Sequence, residues 1–171
     1  ETFGKSLKLN TSVTFTTAKN EVTATNSDGT AKIPGGYYFN GQSQSVTVFE
    51  KGQTPGYFYG FRTDGLFQTF ADVTGHATQT GAQPGDIRYV DMNKDGVIND
   101  ADKTKIGDPF PDFTMGWNLN LEYKSFDFTA FTYASVGNEV YRAYERNANY
   151  TNKDRMILAR WTGAGTATSS K

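Results

Sequence analysis

Between Phe113 and Tyr123, apolar and polar residues alternate without a break. Phe113, Met115, Trp117, Leu119, Leu121 and Tyr123 take one parity, and Thr114, Gly116, Asn118, Asn120 and Glu122 the other. A period of two sorts these residues onto opposite faces of a strand, whereas a helical period would mix them. Lys124 and Ser125 form a short connection, and "FDFTAFTY" from Phe126 to Tyr133 continues as a second extended run, so residues 113–133 read as a β-hairpin. Upstream, Leu7, Leu9, Val13 and Phe15 alternate with Ser6, Lys8, Asn10, Ser12 and Thr14, predicting a strand over about residues 5–16.

Two environments suit such strands. The 113–123 run has the length of a tilted bilayer-crossing strand, roughly 9–11 residues, and its apolar face begins and ends in rings, where interfacial girdles lie. The inner face of a soluble β-sandwich would show the same alternation. Aromatics make up 15% of the chain, yet mean hydropathy is −0.60, a combination that suits two-faced strands better than a uniformly apolar core. With 17 basic against 18 acidic residues there is no basic field for nucleic acid. The absence of cysteine excludes a disulfide scaffold and thiolate zinc. No apolar run reaches the roughly 18 residues of a transmembrane helix, but barrel strands leave no such peak. The sequence opens at Glu1 without a signal segment, so any export signal is expected to have been removed or to lie upstream.

Between the first strand and the hairpin lies a long polar excursion, about residues 17–112, punctuated by the turn signals "AKNE", "NSDG" and "PGG". Short extended pieces are expected at Ser45 to Phe49 and Gly56 to Arg62. Residues 134–171 read as a further loop, with Val140, Tyr141, Tyr144, Met156, Ile157 and Leu158 on short helical turns and a frayed C-terminus.

Within the excursion, "DMNKDGVINDAD" from Asp91 to Asp102 sets four carboxylates and two asparagines into one short stretch. A hard cation such as Ca²⁺ takes its oxygens from positions 1, 3, 5, 7 and 12 of such a loop, with glycine at 6 for the bend. Asp91, Asn93 and Asp95 match the first three ligand positions, Gly96 the bend, Val97 the backbone carbonyl and Asp102 the last position. Ile98 would pack the loop inward, and Asn99 could act through a water. Asp at the twelfth position has a shorter reach than the usual Glu, as in dockerin-like loops. Asp100 is expected to cap a helical turn over "ADKTKI". The competing reading is a solvated cluster of Asx turns; without a cation its carboxylates would repel one another. A metal held this way stiffens a loop rather than activating water.

Taken together, "TTAKNEV" after the first strand, "GQTPGYFYGFRTDGLFQT" from Gly52 to Thr69, and the block from Gln83 to Tyr141 resemble the SusC/RagA family of TonB-dependent outer-membrane transporters. The resemblance implies an all-β fold: antiparallel strands of a transmembrane barrel of roughly 22 strands with a plug in its lumen. It further implies import of glycans or peptides with a SusD-like surface lipoprotein, powered by a TonB complex, and localisation in the outer membrane with long loops outside. The present chain would be a piece of the late barrel, without the plug, the TonB-contacting segment or the closing strand. Short turns in such barrels face the periplasm. The Lys124–Ser125 turn would therefore lie there, and the calcium loop outside the cell.

Two rival functions compete with this reading. An enzyme finds little footing: His76, the sole histidine, sits in "VTGHATQT" without a nucleophile motif and reads as a solvated loop residue, and carboxylates arranged for a metal are poorly placed for acid–base work. A soluble secreted, calcium-stabilised β-sheet module that binds carbohydrate is the alternative, with Tyr37, Tyr38, Tyr57, Phe58, Tyr59 and Trp161 as stacking candidates.

Overall fold

The computed structural model describes residues 2–3, 7–26, 29, 31–39, 42–141 and 158–167. In chain order the strands are β1 (Thr2–Phe3), β2 (Leu7–Thr16), β3 (Ile33–Phe39), β4 (Gln42–Phe49), β5 (Tyr57–Phe61), β6 (Thr63–Leu66), β7 (Ile87–Tyr89), β8 (Lys103–Gly107), β9 (Phe113–Tyr123) and β10 (Phe126–Val136). Among the described residues, helix is confined to α1 (Phe70–Thr74), the 3₁₀ turn Asp100–Asp102, and the 3₁₀ residues Leu158 and Ala159. The fold is mostly antiparallel β, and no described helix is long and apolar enough to cross a membrane. Of the helical turns expected late in the chain, Leu158 lies in a 3₁₀ turn, Val140 and Tyr141 are not helical, and Tyr144, Met156 and Ile157 fall outside the described residues.

The chain divides into two units. The first carries a sheet of order β1-β2-β9-β10. β2 pairs antiparallel with β9 from Leu7↔Tyr123 to Thr16↔Thr114, and β9 with β10 from Phe126↔Tyr123 to Val136↔Phe113. Residues directly opposite one another share a face, so the alternation of β9 is matched in β2 and in the first half of β10. β10 runs three residues past the expected end at Tyr133, because Ala134, Ser135 and Val136 still have partners at the start of β9. Lys124, in the connecting turn, takes a left-handed backbone with φ of 53°.

The second unit holds a sheet of order β3-β4-β5-β8 and the pair β6-β7. The pieces expected near 45–49 and 56–62 appear as β4 and β5. Strands β3 and β6, "IPGGYYF" and "TDGL", carry no alternation that would mark them, and β7, "IRY", is too short to do so. Among the described residues, Val48, Tyr57 and Phe67 are the buried apolar side chains of this unit, Phe67 with no accessible surface. Helix α1 begins at a capping box: Thr69 accepts from the Asp72 N–H, and the Asp72 carboxylate accepts from Thr69.

Candidate functional site

Two features have the chemistry for a role, the two-faced sheet of the first unit and the oxygen-rich loop at residues 91–102. On the sheet, the polar parity is hydrogen-bonded across strands. Lys8 Nζ lies 2.9 Å from Glu122 Oε2, and Thr129 Oγ1 donates to Asn120 Oδ1 at 2.5 Å. Both charged side chains are exposed, so the pair contributes under about 1 kcal/mol; it orders the face more than it stabilises it. Asp127 stands directly opposite Glu122, on the polar side as its parity requires.

The other face is apolar and open, with Val13 66%, Trp117 40% and Phe126 79% exposed. Its one polar ring atom is satisfied locally: Trp117 Nε1 donates to Thr11 Oγ1 at 2.8 Å, and the Thr11 hydroxyl donates to the Asn118 carbonyl at 3.2 Å. At one end Phe15 and Phe113 rings lie 5.1 Å apart; at the other, Lys124 Nζ stands 5.2 Å over the Tyr123 ring. A face with rings at both ends and its indole N–H paired within the sheet suits an apolar medium.

Alternation in β10 hides one feature. Phe126 and Phe128 share the apolar face, but Phe131 and Tyr133 fall opposite Asn118 and Gly116 and so stand on the polar one. The shift is visible in "FDFTAFTY" as two rings changing parity after Phe128. Reading the run only as the second strand of a hairpin leaves this shift unassigned.

In the loop, the residues proposed as ligands are gathered by short-range hydrogen bonds. Asp91 accepts from the Lys94 and Gly96 N–H groups at 2.6 and 2.8 Å. Asn93 Oδ1 accepts from the Asp95 N–H at 3.0 Å, and Asp95 Oδ1 from the Val97 N–H at 2.9 Å. Gly96 has φ of 84°, the left-handed bend that its position demands, and Lys94 follows at 62°. Asp102 is fully buried, and its two oxygens accept from Met92, Asn93 and Asn99 N–H groups. The Asn99 N–H, with those of Met92 and Asn93, holds this carboxyl below its ordinary value against the opposing effect of burial.

Around this loop two local expectations are corrected. Asn99, not Asp100, caps the short turn, its side chain accepting from the Ala101 N–H at 2.8 Å. "TKI" then continues as strand β8 rather than helix, because Lys103 already has an extended backbone. Asp100 pairs instead with Lys103 at 2.8 Å. The loop is also tied to a distant segment: the Thr78 N–H donates to the Gly96 carbonyl at 2.8 Å, and the Ile98 N–H to the Thr78 carbonyl at 3.0 Å. Ile98 is half-buried, whereas Val97 is exposed.

The donor set suits a hard cation, since every proposed ligand atom is an oxygen. Among the described residues, however, no three acidic or histidine side chains converge in the manner of a metal centre. A cation here would therefore lean on the Asn93 amide oxygen and the Val97 carbonyl as well as on the acids.

Other candidates are placed differently from expectation. Tyr57 is buried and unavailable for stacking on a sugar, and the Tyr37 and Tyr38 side chains lie outside the described residues. His76 is half-buried rather than solvated: its ring meets Phe67 edge-on at 5.3 Å, and Nδ1 lies 3.0 Å from the Ala77 carbonyl, a packing role. Asp72 accepts from the Gln68 and Thr69 N–H groups, both at 2.9 Å. The Thr69 and Gln68 amides, aided by the Thr69 hydroxyl and by Arg88, hold its carboxyl below the ordinary 3.8 against partial burial. A depressed folded-state value means stability present above pH 3.8 and lost as the pH falls through the lowered value. Acid titration of stability should accordingly find the deficit of Asp72→Asn shrinking below that pH; a constant deficit would show that the charge plays no part.

The fold and its faces define a class first: an all-β chain of antiparallel strands bearing a sheet with one polar and one uncovered apolar side. No family model matches the chain. Curated relatives do. A 136-residue stretch covering 78% of the chain is 36% identical to "TonB-dependent receptor P3" of Formosa agariphila, and 116 residues, 65% of the chain, are 29% identical to "TonB-dependent receptor P26" of the same organism. "TonB-dependent receptor SusC" of Bacteroides thetaiotaomicron is 29% identical over 107 residues, 63% of the chain. The curated homologues of this chain are thus TonB-dependent receptors, SusC among them, and it corresponds to a SusC-like fragment. The matched stretches span only 13%, 12% and 9% of those three receptors.

Proposed function

We propose that this chain supplies part of the wall and outer loops of an outer-membrane TonB-dependent transporter of the SusC type. In this reading β2, β9 and β10 are neighbouring strands of a large barrel, with the apolar face toward lipid and the Asn- and Thr-rich face toward the lumen. The open apolar face of the β2-β9-β10 sheet carries the proposal. Eleven residues at about 3.4 Å each make a strand of about 37 Å, which at a tilt near 45° spans about 26 Å, close to the apolar band of roughly 25 Å in such barrels. A self-standing secreted module would leave those rings in water.

The whole receptor would import glycans or peptides with a SusD-like lipoprotein above it and a TonB complex driving it from below; its role is transport, not catalysis. Within its outer loops, residues 91–102 would hold Ca²⁺ through Asp91, Asn93, Asp95, the Val97 carbonyl and Asp102. The ion would supply positive charge between carboxylates that otherwise repel, and so fix the loop against the Thr78 segment.

Single-cysteine spin labels along β9, in a full-length receptor freed of any cysteine outside these 171 residues, which contain none, report each position cleanly. In the full-length receptor in vesicles, labels at 115, 117 and 119 should collide with lipid-dissolved oxygen, and labels at 116, 118 and 120 with a water-soluble nickel chelate. Loss of this two-residue period in collision rates would remove the barrel reading.

A further inference from the structure

One side chain in the second unit joins segments far apart in sequence. Gln68 uses its whole carboxamide: Oε1 accepts from Trp161 Nε1 at 3.3 Å and from the Gly165 N–H at 2.8 Å, while Nε2 donates to the carbonyls of Leu66 at 3.3 Å and Ala167 at 2.7 Å. Three of these partners lie in residues 161–167. The carboxamide is aimed by its own surroundings, since the Gln68 backbone N–H is held by Asp72 and Nε2 by the Leu66 carbonyl.

Beside it, Trp161 rests on Gly85. A Cβ at that position would come within 2.6 Å of Trp161 Cε3, and φ there is 96°, so only glycine leaves room for the ring. Residues 162–166 are closed on themselves: the Thr166 hydroxyl donates to the Gly163 carbonyl at 2.6 Å and accepts from the Thr162 N–H at 2.9 Å. Leu158, just before, is 75% exposed and anchors nothing.

We propose that residues 161–167 form a strap latched by Gln68 and seated on Gly85, which opens as a unit while the loop beneath it stays folded. Self-contained hydrogen bonding lets the strap keep its shape when released. Its attachment is a set of polar contacts and one half-buried ring, whereas the loop below is closed by bonds of its own, Gly85 N–H to Phe67 carbonyl at 2.7 Å and Phe67 N–H to Asp86 carbonyl at 3.0 Å, around a Phe67 that is fully buried. Attachments of the first kind open locally at low free energy, and the second kind open near the global limit. The device is independent of what the receptor carries.

Amide hydrogen exchange on the full-length protein, resolved to single residues, tests this directly. Gln68→Ala should speed exchange at Gly165 by about tenfold while leaving Gly85 unchanged. Should that variant fail to fold, Trp161→Phe, which keeps an aromatic side chain but removes the indole donor and the larger ring over Gly85, should raise the Gly165 rate about threefold, again without effect at Gly85. Equal acceleration at both amides, or none at Gly165, overturns the strap.

Discussion

Arginine in place of Leu119 is expected to cost the receptor about 2–4 kcal/mol of folding free energy in the membrane, and arginine in place of Asn118 close to nothing. The two residues are adjacent in β9 but on opposite faces. Leu119 lies between Thr11 and Ala130 in the middle of the apolar face, and Asn118 between Ser12 and Phe131 on the polar one. A guanidinium at Leu119 would have to shed its water or thin the bilayer around it, whereas at Asn118 it would project into a wet lumen. Both variants place the same charge in the same strand, so secondary-structure propensity cancels between them. Denaturant titration of the folded receptor in vesicles, followed by its heat-modifiable gel mobility, gives the two costs. Equal costs would mean that neither face meets lipid.

Loss of the Asp102 carboxylate should be felt even without any metal. It is fully buried and accepts from three backbone N–H groups, at 2.9 Å from Met92, 3.4 Å from Asn93 and 2.9 Å from Asn99. Asp102→Ala strands these donors, and although water reaches the exposed Asn93 and Asn99, the expected loss is about 3 kcal/mol. Asp102→Asn keeps one carbonyl oxygen and should lose roughly half as much.

On the proposed reading, calcium would add a second, separable effect to the same loop. A ligand that binds only the folded state stabilises by about 2.7 kcal/mol at a hundredfold excess over its dissociation constant. Wild type should therefore melt higher in calcium than in chelator, and Asp91→Ala, which removes the first ligand, should show no such gain. Indifference of the wild type to calcium would end the metal reading while leaving the structural role of Asp102 standing.

Some of these features were readable from the chain and others were not, for reasons of range. The donors of residues 91–102 sit within one loop, so their spacing could be matched to a cation by inspection. What those groups do to one another was not readable: that Asn99 rather than Asp100 supplies the cap, or that Asp102 gathers three amides, depends on backbone angles and not on order. Strands β3 and β6 escaped notice because Gly, Pro and Asp give them little intrinsic preference, and β7 because three residues are too short a run to mark; all exist by virtue of partners elsewhere. The Gln68 to Trp161 contact joins residues 93 apart, and nothing local to either marks it.

Parity was settled by the sequence alone. Successive side chains of an extended backbone point to opposite sides whatever surrounds them, so the order Phe113 to Tyr123 suffices to make one apolar and one polar face. Tertiary structure decided the neighbours. Across the long excursion, β2 lies beside β9 in a register that sets Val13 against Trp117 and Lys8 against Glu122, and that choice turns three separate stripes into one continuous surface. Strand pairing is a long-range exchange of hydrogen bonds, specified only when every strand can place its apolar parity on the same side at once.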